Sequence, residues 1–173
     1  MNEAMIPLNV AVLTVSDTRT EKTDRSGRTL VERLEAAGHR LHEKRIVVDD
    51  VYRIRAQVAA WIAEPEVQVI LTTGGTGFTG RDSTPEAVDV LLDKRIEGFG
   101  ELFRHLSWQE IGSSTVQSRC LGGLANATVI FCLPGSTGAC RTAWDGILAE
   151  QLDSRHQPCN FANLVIPERG QHV

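Results

Sequence analysis

Arg81 and Asp82 stand side by side in a glycine-rich string, TTGGTGFTGRDSTPEA at positions 72–87, a cation and a carboxylate placed where phosphate and a metal ion could meet. Gly74, Gly75, Gly77 and Gly80 permit positive φ and let backbone N–H groups approach a ligand with no Cβ in the way, as a phosphate-binding turn requires. Ser83, Thr84 and Pro85 then open a helix: Thr84 can cap it, Pro85 suits its first turn, and Glu86 follows Ser83 at capping-box spacing. A strand, a glycine turn and a helix N-terminus in that order make an anion site. Spacing alone leaves a plainer role open for Asp82, as a turn or cap residue. A second pair of acids, Asp49 and Asp50, precedes another helical pattern, where acids most often serve as caps, and spacing does not say which of the two faces a ligand. Ser16 and Asp17 end one apolar run, and Pro134, Gly135 and Ser136 end another.

Two familiar nucleotide sites are excluded. Gly75, Gly77 and Gly80 fit G-x-G-x-x-G, but the helix cap comes too late and no acid ends a strand about twenty residues on. Gly75 and Gly80 have P-loop spacing, yet Arg81 and Asp82 replace the Lys and Ser/Thr that would hold phosphate and magnesium. Cys120, Cys132, Cys140 and Cys159 form no C-x-x-C pair and have no histidine at ligand spacing, so neither a structural zinc nor a disulfide framework is expected. The five histidines are scattered, and none is assigned to catalysis.

The elements that must position these groups alternate in type. Residues 10–15 form a continuous apolar run, a buried strand. The polar segment 17–27 reads as a mobile loop with Lys22, Asp24 and Arg25 on its solvated face; Leu30, Val31 and Leu34 then set a helical stripe ended by Gly38. Residues 41–48 have strand character, and Ile54, Val58, Trp61 and Ile62 stripe a second helix ahead of Pro65. The apolar run 67–73 leads into the glycine turn. Residues 87–92 are helical, a further helix opens behind Gly98 and Gly100, and 113–126 read as a short helix with loops. Residues 128–133 form another apolar strand, and Cys140, Ala143, Trp144, Ile147 and Leu148 share one helix face after it. From about 157 the chain reads as an irregular tail wrapping over the surface.

Alternation of this kind implies an α/β fold, a three-layer α/β/α sandwich with a mostly parallel central sheet, here as one domain over 1–173. Right-handed crossovers place the strand-to-helix turns along one sheet edge, where ligands of such folds bind. Ser16, Asp17, Asp49, the glycine turn with Asp82, and the turn at Pro134, Gly135 and Ser136 should therefore converge on one crevice. A length of 173 residues suits one core of ordinary size, and a net charge of −4 with a pI near 5.7 argues against a nucleic-acid or membrane-surface binder. No apolar run has the length of a membrane span, and the chain reads as a soluble cytoplasmic protein.

Taken together, LTVSD at 13–17 with DRSG at 24–27, the string at 72–87, EGFGELFR at 97–104, QSR at 117–119 and LPGST at 133–137 resemble the MoaB/Mog family of molybdenum-cofactor biosynthesis, and within it the bacterial MoaB branch. The resemblance covers almost the whole chain. It implies a molybdopterin adenylyltransferase that converts ATP and molybdopterin to adenylylated molybdopterin and pyrophosphate with Mg²⁺. It places Gly74, Gly75, Thr76 and Gly77 at the nucleotide phosphates and gives Asp82 and Asp49 to catalysis and magnesium binding. Ser16, Asp17, Ser118, Arg119, Pro134, Gly135 and Ser136 would line the nucleotide and pterin regions. It further implies a homo-oligomer, a trimer or a hexamer built from trimers, and contact with other enzymes of the same pathway. The turn at 134–137 lacks the second proline of the Mog branch, and Ile96-Glu97-Gly98 replaces its Pro-Gly-Phe; both departures favour MoaB. A pterin- or nucleotide-binding protein without transferase activity is the alternative, and the presence of both Asp49 and Asp82 favours the enzyme.

Overall fold

The computed structural model describes residues 4–166. Its six-stranded sheet contains β1 (Asn9–Val15), β2 (Arg40–Val47), β3 (Val69–Thr73), β4 (Lys94–Arg95), β5 (Leu121–Ala125) and β6 (Thr128–Leu133), in the spatial order β2-β1-β3-β6-β5-β4. The first four neighbours run parallel; β5 is antiparallel to both β6 and β4. Successive side chains of a strand point to opposite faces. Val10 and Val12 accordingly join Leu30, Leu34, Phe103 and Trp144 in one buried cluster, while Ala11 and Leu13 join Ile54, Val58 and Trp61 in the other. Helices α1 (Arg25–Ala36), α4 (Glu97–Ile111) and α5 (Thr137–Ala143) supply the first layer, and α2 (Val51–Ala63) with the short α3 (Thr84–Val88) supplies the second. The expected three-layer sandwich is the fold observed, and the largely apolar runs of β1, β3 and β6 follow from burial on both faces.

Several local expectations are corrected. Helix α1 begins inside the segment read as a loop, because Asp24 is its N-cap and accepts the Gly27 N–H at 3.0 Å. Asp24 is not solvated: it is 1% exposed, takes the Thr14 hydroxyl at 2.7 Å and pairs with Lys44 Nζ at 2.7 Å. Lys22 and Arg25 are exposed as expected. Burial alone would raise the Asp24 pKa, but the Lys44, Thr14 and Gly27 hydrogen bonds overcome it and hold the carboxyl below its ordinary value. Asp24→Ala removes the cap and one side of a buried pair, while Lys44 keeps Glu21 at 3.0 Å; denaturant unfolding at neutral pH should show a loss of about 2 kcal/mol. A depressed carboxyl stabilises above its unfolded pKa of about 4 and loses that contribution as pH falls through the folded value. Wild type and variant should therefore converge in acid.

Helix α4 starts ahead of Gly98 and Gly100 and contains both in its first turn. The segment 113–126 holds a 3₁₀ turn, Gly112–Gln117, and the unexpected strand β5. Helix α5 runs on through a wider turn, Trp144–Leu148, into α6 (Ala149–Gln151). The tail is less irregular than expected: α7 (Ala162–Val165) buries Ala162 and Val165, with Ile166 after it, and Gln68 donates to the Val165 carbonyl at 3.1 Å. Beyond Ile166 the tail lies outside the described residues. All four cysteines are free; burial pushes the Cys132 thiol up to about 12 and Cys140 to about 11, which makes both inert. Among the described residues no helix is long and apolar enough to cross a membrane.

Candidate functional site

Strands β1, β3 and β6 end level with one another, since Thr14 pairs with Thr73 and Thr73 with Leu133. The turns that follow them therefore emerge together. Ser16, Asp17, Asp49, Gly74, Gly75, Thr76, Gly77, Asp82, Pro134, Gly135 and Ser136 line one cleft of about 530 Å³, as the topology required, and Ser118, expected from the resemblance, joins them. Phe103, Ser107 and Ile111 of α4 close its far side.

The glycine turn is held rigidly. Gly74 and Gly75 have φ of +100° and +69°. A Cβ at Gly74 would lie 2.2 Å from the Val15 carbonyl oxygen, and one at Gly75 would lie 2.4 Å from Thr84 Oγ1 and 2.9 Å from the Asp49 carboxylate. Any side chain at either position would disturb the fold as well as a ligand. Gly77 does not have positive φ but needs its space, since a Cβ there would lie 2.8 Å from Asp82 Oδ2; Gly80 faces open space. Thr84 is not a cap. Its hydroxyl donates to the Gly74 carbonyl at 2.8 Å and its N–H to the Gly75 carbonyl at 2.9 Å, so it locks the turn onto α3. The expected capping box is also absent: Ser83 occupies the cap position without a side-chain cap bond, and Glu86 is drawn to Arg119.

Of the two acids before α2, Asp50 is the cap, accepting from Tyr52 N–H at 3.0 Å and Arg53 N–H at 2.9 Å. Asp49 turns the other way. It is 7% exposed, its Oδ1 accepts the Ser83 N–H at 2.9 Å, and its own N–H donates to Asp17 Oδ1 at 3.0 Å. Burial raises its pKa against the Ser83 hydrogen bonds, and the Asp82 and Asp17 charges push the same way. Asp82 is held below the ordinary carboxylate value, chiefly by the Thr79 hydroxyl; Oδ2 accepts that hydroxyl at 2.6 Å and the Thr79 N–H at 2.8 Å. Asp17 falls to about 2 because Arg81 grips both its oxygens, at 2.7 and 2.9 Å, and Asp49 donates to it.

Arg119 is placed differently from the other expected residues. It stands behind the turn and not among the residues lining the cleft. Its Nε donates to the Gly77 carbonyl at 2.8 Å and Nη2 to the Asp82 carbonyl at 2.9 Å, Nη1 meets Glu86, and the guanidinium lies 5.2 Å from the Phe78 ring. A planar fork can hold two carbonyls at once where an ammonium cannot. Arg119→Lys should lower stability by about 1 kcal/mol, and hydrogen exchange should quicken at residues 77–82 more than in β3. Uniform protection would mean the brace is dispensable.

Sequence reasoning missed Thr79 as the partner of Asp82, although the three-residue spacing is the one over which a carboxylate reaches back to a threonine N–H in a capping box. It also missed Phe103, Ser107, Ile111 and Gln117, which line the cleft from a helix and turn whose docking no local pattern reveals. Among the described residues no group of three or more His, Cys, Asp or Glu is close enough to hold a metal alone. Asp49 and Asp82 fit a magnesium ion of the kind bound by one or two carboxylates plus substrate phosphates, and do not fit a zinc site.

A mostly parallel sheet in a three-layer sandwich, with a positive-φ glycine turn and three carboxylates at its carboxyl edge, defines the class of protein. Residues 11–154 match the family described as probable molybdopterin binding domain. The chain is 56% identical over 156 residues to molybdenum cofactor biosynthesis protein B of Escherichia coli strain K12, spanning 90% of this chain and 92% of that one. It is 49% identical over 142 residues to the protein of the same name from Bacillus cereus, with 82% and 84% covered. A crystal structure of a molybdenum cofactor biosynthesis protein B superposes with a TM-score of 0.84 at 48% identity over 87% of this chain and 94% of that one. The tungsten cofactor synthesizing protein MoaB of Pyrococcus furiosus gives 0.73 at 35% identity over 83% and 92%. The chain belongs to the MoaB family of molybdenum cofactor biosynthesis proteins, as the motifs implied.

Proposed function

We propose that this chain transfers AMP from ATP to molybdopterin and releases pyrophosphate in a Mg²⁺-dependent reaction. One observation carries the reading: Asp49, rather than capping the helix it precedes, turns into the cleft beside Gly75, while Asp82 stands beside Gly77. Two carboxylates thus flank a turn whose backbone is open to phosphate. In adenylyl transfer a phosphate oxygen of the acceptor attacks the α-phosphorus of ATP in line, and the bond to pyrophosphate breaks, so the protein's task is alignment and charge neutralisation. Along the turn Gly74, Gly75, Thr76 and Gly77, the backbone N–H groups of Gly75 and Thr76 would meet the phosphates, since the Gly74 N–H donates to the Leu133 carbonyl at 3.0 Å and the Gly77 N–H serves the Asp82 carboxylate. Asp49 and Asp82 would hold Mg²⁺, which supplies charge neutralisation on those phosphates when bound. Ser16, Ser118 and the 134–136 turn border the remaining space, where the rest of the nucleotide and the pterin would lie.

A second reading has one observation in its favour. Asp82 Oδ2 already accepts two hydrogen bonds from Thr79, as a turn-building aspartate does; on that reading the cleft binds pterin or nucleotide without transfer. Protein supplied with molybdopterin, ATP and Mg²⁺ should yield pyrophosphate and adenylylated molybdopterin. Bound pterin with neither product would leave the second reading standing. The proposal includes a homo-oligomer, trimeric or hexameric, working in the cytoplasm with other molybdenum cofactor enzymes. Exposed Leu102, Trp108, Ile111 and Val116 along α4 and the turn after it support self-association. A monomer by light scattering would remove that part.

A further inference from the structure

The cleft wall carries three carboxylates, Asp17, Asp49 and Asp82, and among the described residues a single cationic side chain, Arg81. A phosphorylated ligand entering it meets more negative charge than positive. Beside the Mg²⁺ proposed for Asp49 and Asp82, Arg81 is the side chain that could offset this, and it is occupied: Nε donates to Asp17 Oδ2 at 2.9 Å and Nη2 to Asp17 Oδ1 at 2.7 Å.

That grip is easily exchanged. The Arg81 side chain is 60% exposed, and an exposed ion pair contributes only about 0–1 kcal/mol. Residues 78–81 are all exposed, and nothing lies within 4 Å of where a Gly80 Cβ would be, so the loop tip has room to move while Thr76 and Thr84 stay buried beneath it. A guanidinium fork fits phosphate oxygens as well as it fits a carboxylate. Asp17 would not be stranded, because it keeps the Asp49 N–H at 3.0 Å.

We propose that Asp17 is a placeholder for ligand phosphate: on binding, Arg81 leaves the Asp17 carboxylate and takes the non-bridging oxygens of a phosphate group. The inference rests on the cleft accepting a phosphorylated ligand and names the residue that meets it. The plainer role for the pair is a permanent brace between the loops after β1 and β3, and the two roles differ in sign. A brace is loosened from either end, so both substitutions would weaken binding. In an exchange, Arg81→Gln weakens binding and Asp17→Asn, which keeps an acceptor for the Asp49 N–H, tightens it.

The test is calorimetric titration of wild type, Arg81→Gln, Asp17→Asn and the double variant, with ATP and with molybdopterin, each folded variant checked by thermal unfolding. Arg81→Gln should weaken one ligand about tenfold, and that ligand carries the phosphate in question. Asp17→Asn should tighten the same ligand several-fold, and the gain should vanish in the Arg81→Gln background. A gain that persists there comes from the general field of Asp17 and overturns the exchange, as does a loss in both single variants. Binding of neither ligand by wild type would overturn the proposed function along with it; binding by wild type with same-sign effects would overturn the exchange alone.

Discussion

Asp49→Asn should lower the rate of AMP transfer by about a hundredfold, the order of loss seen when one stabiliser of transition-state charge is removed, whereas Asp50→Ala should leave the rate within about twofold and cost about 1 kcal/mol of stability. Neighbours in sequence, these acids are separated by geometry. Asp50 Oδ1 spends its hydrogen-bonding capacity on Tyr52 and Arg53 N–H, the first turn of α2. Asp49 points into the cleft, with Oδ2 near the glycine turn and Oδ1 on Ser83 N–H. An asparagine at 49 can still accept from Ser83 through its amide oxygen, so the local fold should survive while the charge is lost. The measurement is single-turnover formation of adenylylated molybdopterin alongside denaturant unfolding. Comparable rate losses in both variants would show that the helix end, rather than one carboxylate, is what the reaction needs.

How far the sequence reveals such a site depends on whether a local pattern reflects a local cause. Strands β1, β3 and β6 are legible because helices cover both faces and their positions are apolar but for Asn9 and a few threonines. Strand β5 is not, because Gly122 and Gly123 dilute its pattern, and the reason for those glycines is tertiary: a Cβ at Gly122 would lie 2.9 Å from the Phe131 ring and one at Gly123 would lie 2.5 Å from Leu92. Strand β4, two residues long, has no pattern to read. The same distinction runs through the site. Convergence of Ser16, Asp17, Asp49, the glycine turn and Pro134 follows from topology, which alternation of elements discloses. The choice between Asp49 and Asp50, the buried Asp24–Lys44 pair and the Arg119 brace depend on partners many residues away. Polar sequence around Asp24 suggests solvent; only Lys44 and Thr14, on adjacent strands, show that the carboxylate is buried with its partners.

The Asp82 carboxylate can be tested for charge separately from shape. In the proposed reaction the acceptor is a phosphate monoester whose second ionisation lies near pH 6, so it is already largely anionic at neutral pH and a general base has little to remove. Asp82 itself is held below its ordinary pKa by Thr79 and is ionised there, so it cannot act as a proton donor either. What remains for the proposed reaction is charge: Asp82, with Asp49, would hold Mg²⁺ against the nucleotide phosphates. Asp82→Asn offers the Thr79 N–H and hydroxyl the same kind of oxygen and leaves the Asp82 backbone carbonyl on Arg119, so the turn should keep its form. The transfer rate should fall by about a hundredfold or more, ATP should still bind through the glycine turn, and raising Mg²⁺ should recover part of the rate. A wild-type rate in Asp82→Asn would make the residue a turn-builder and strengthen the binding-only reading. A large loss that ignores Mg²⁺ concentration would instead assign Asp82 to positioning the substrate and remove it from the metal.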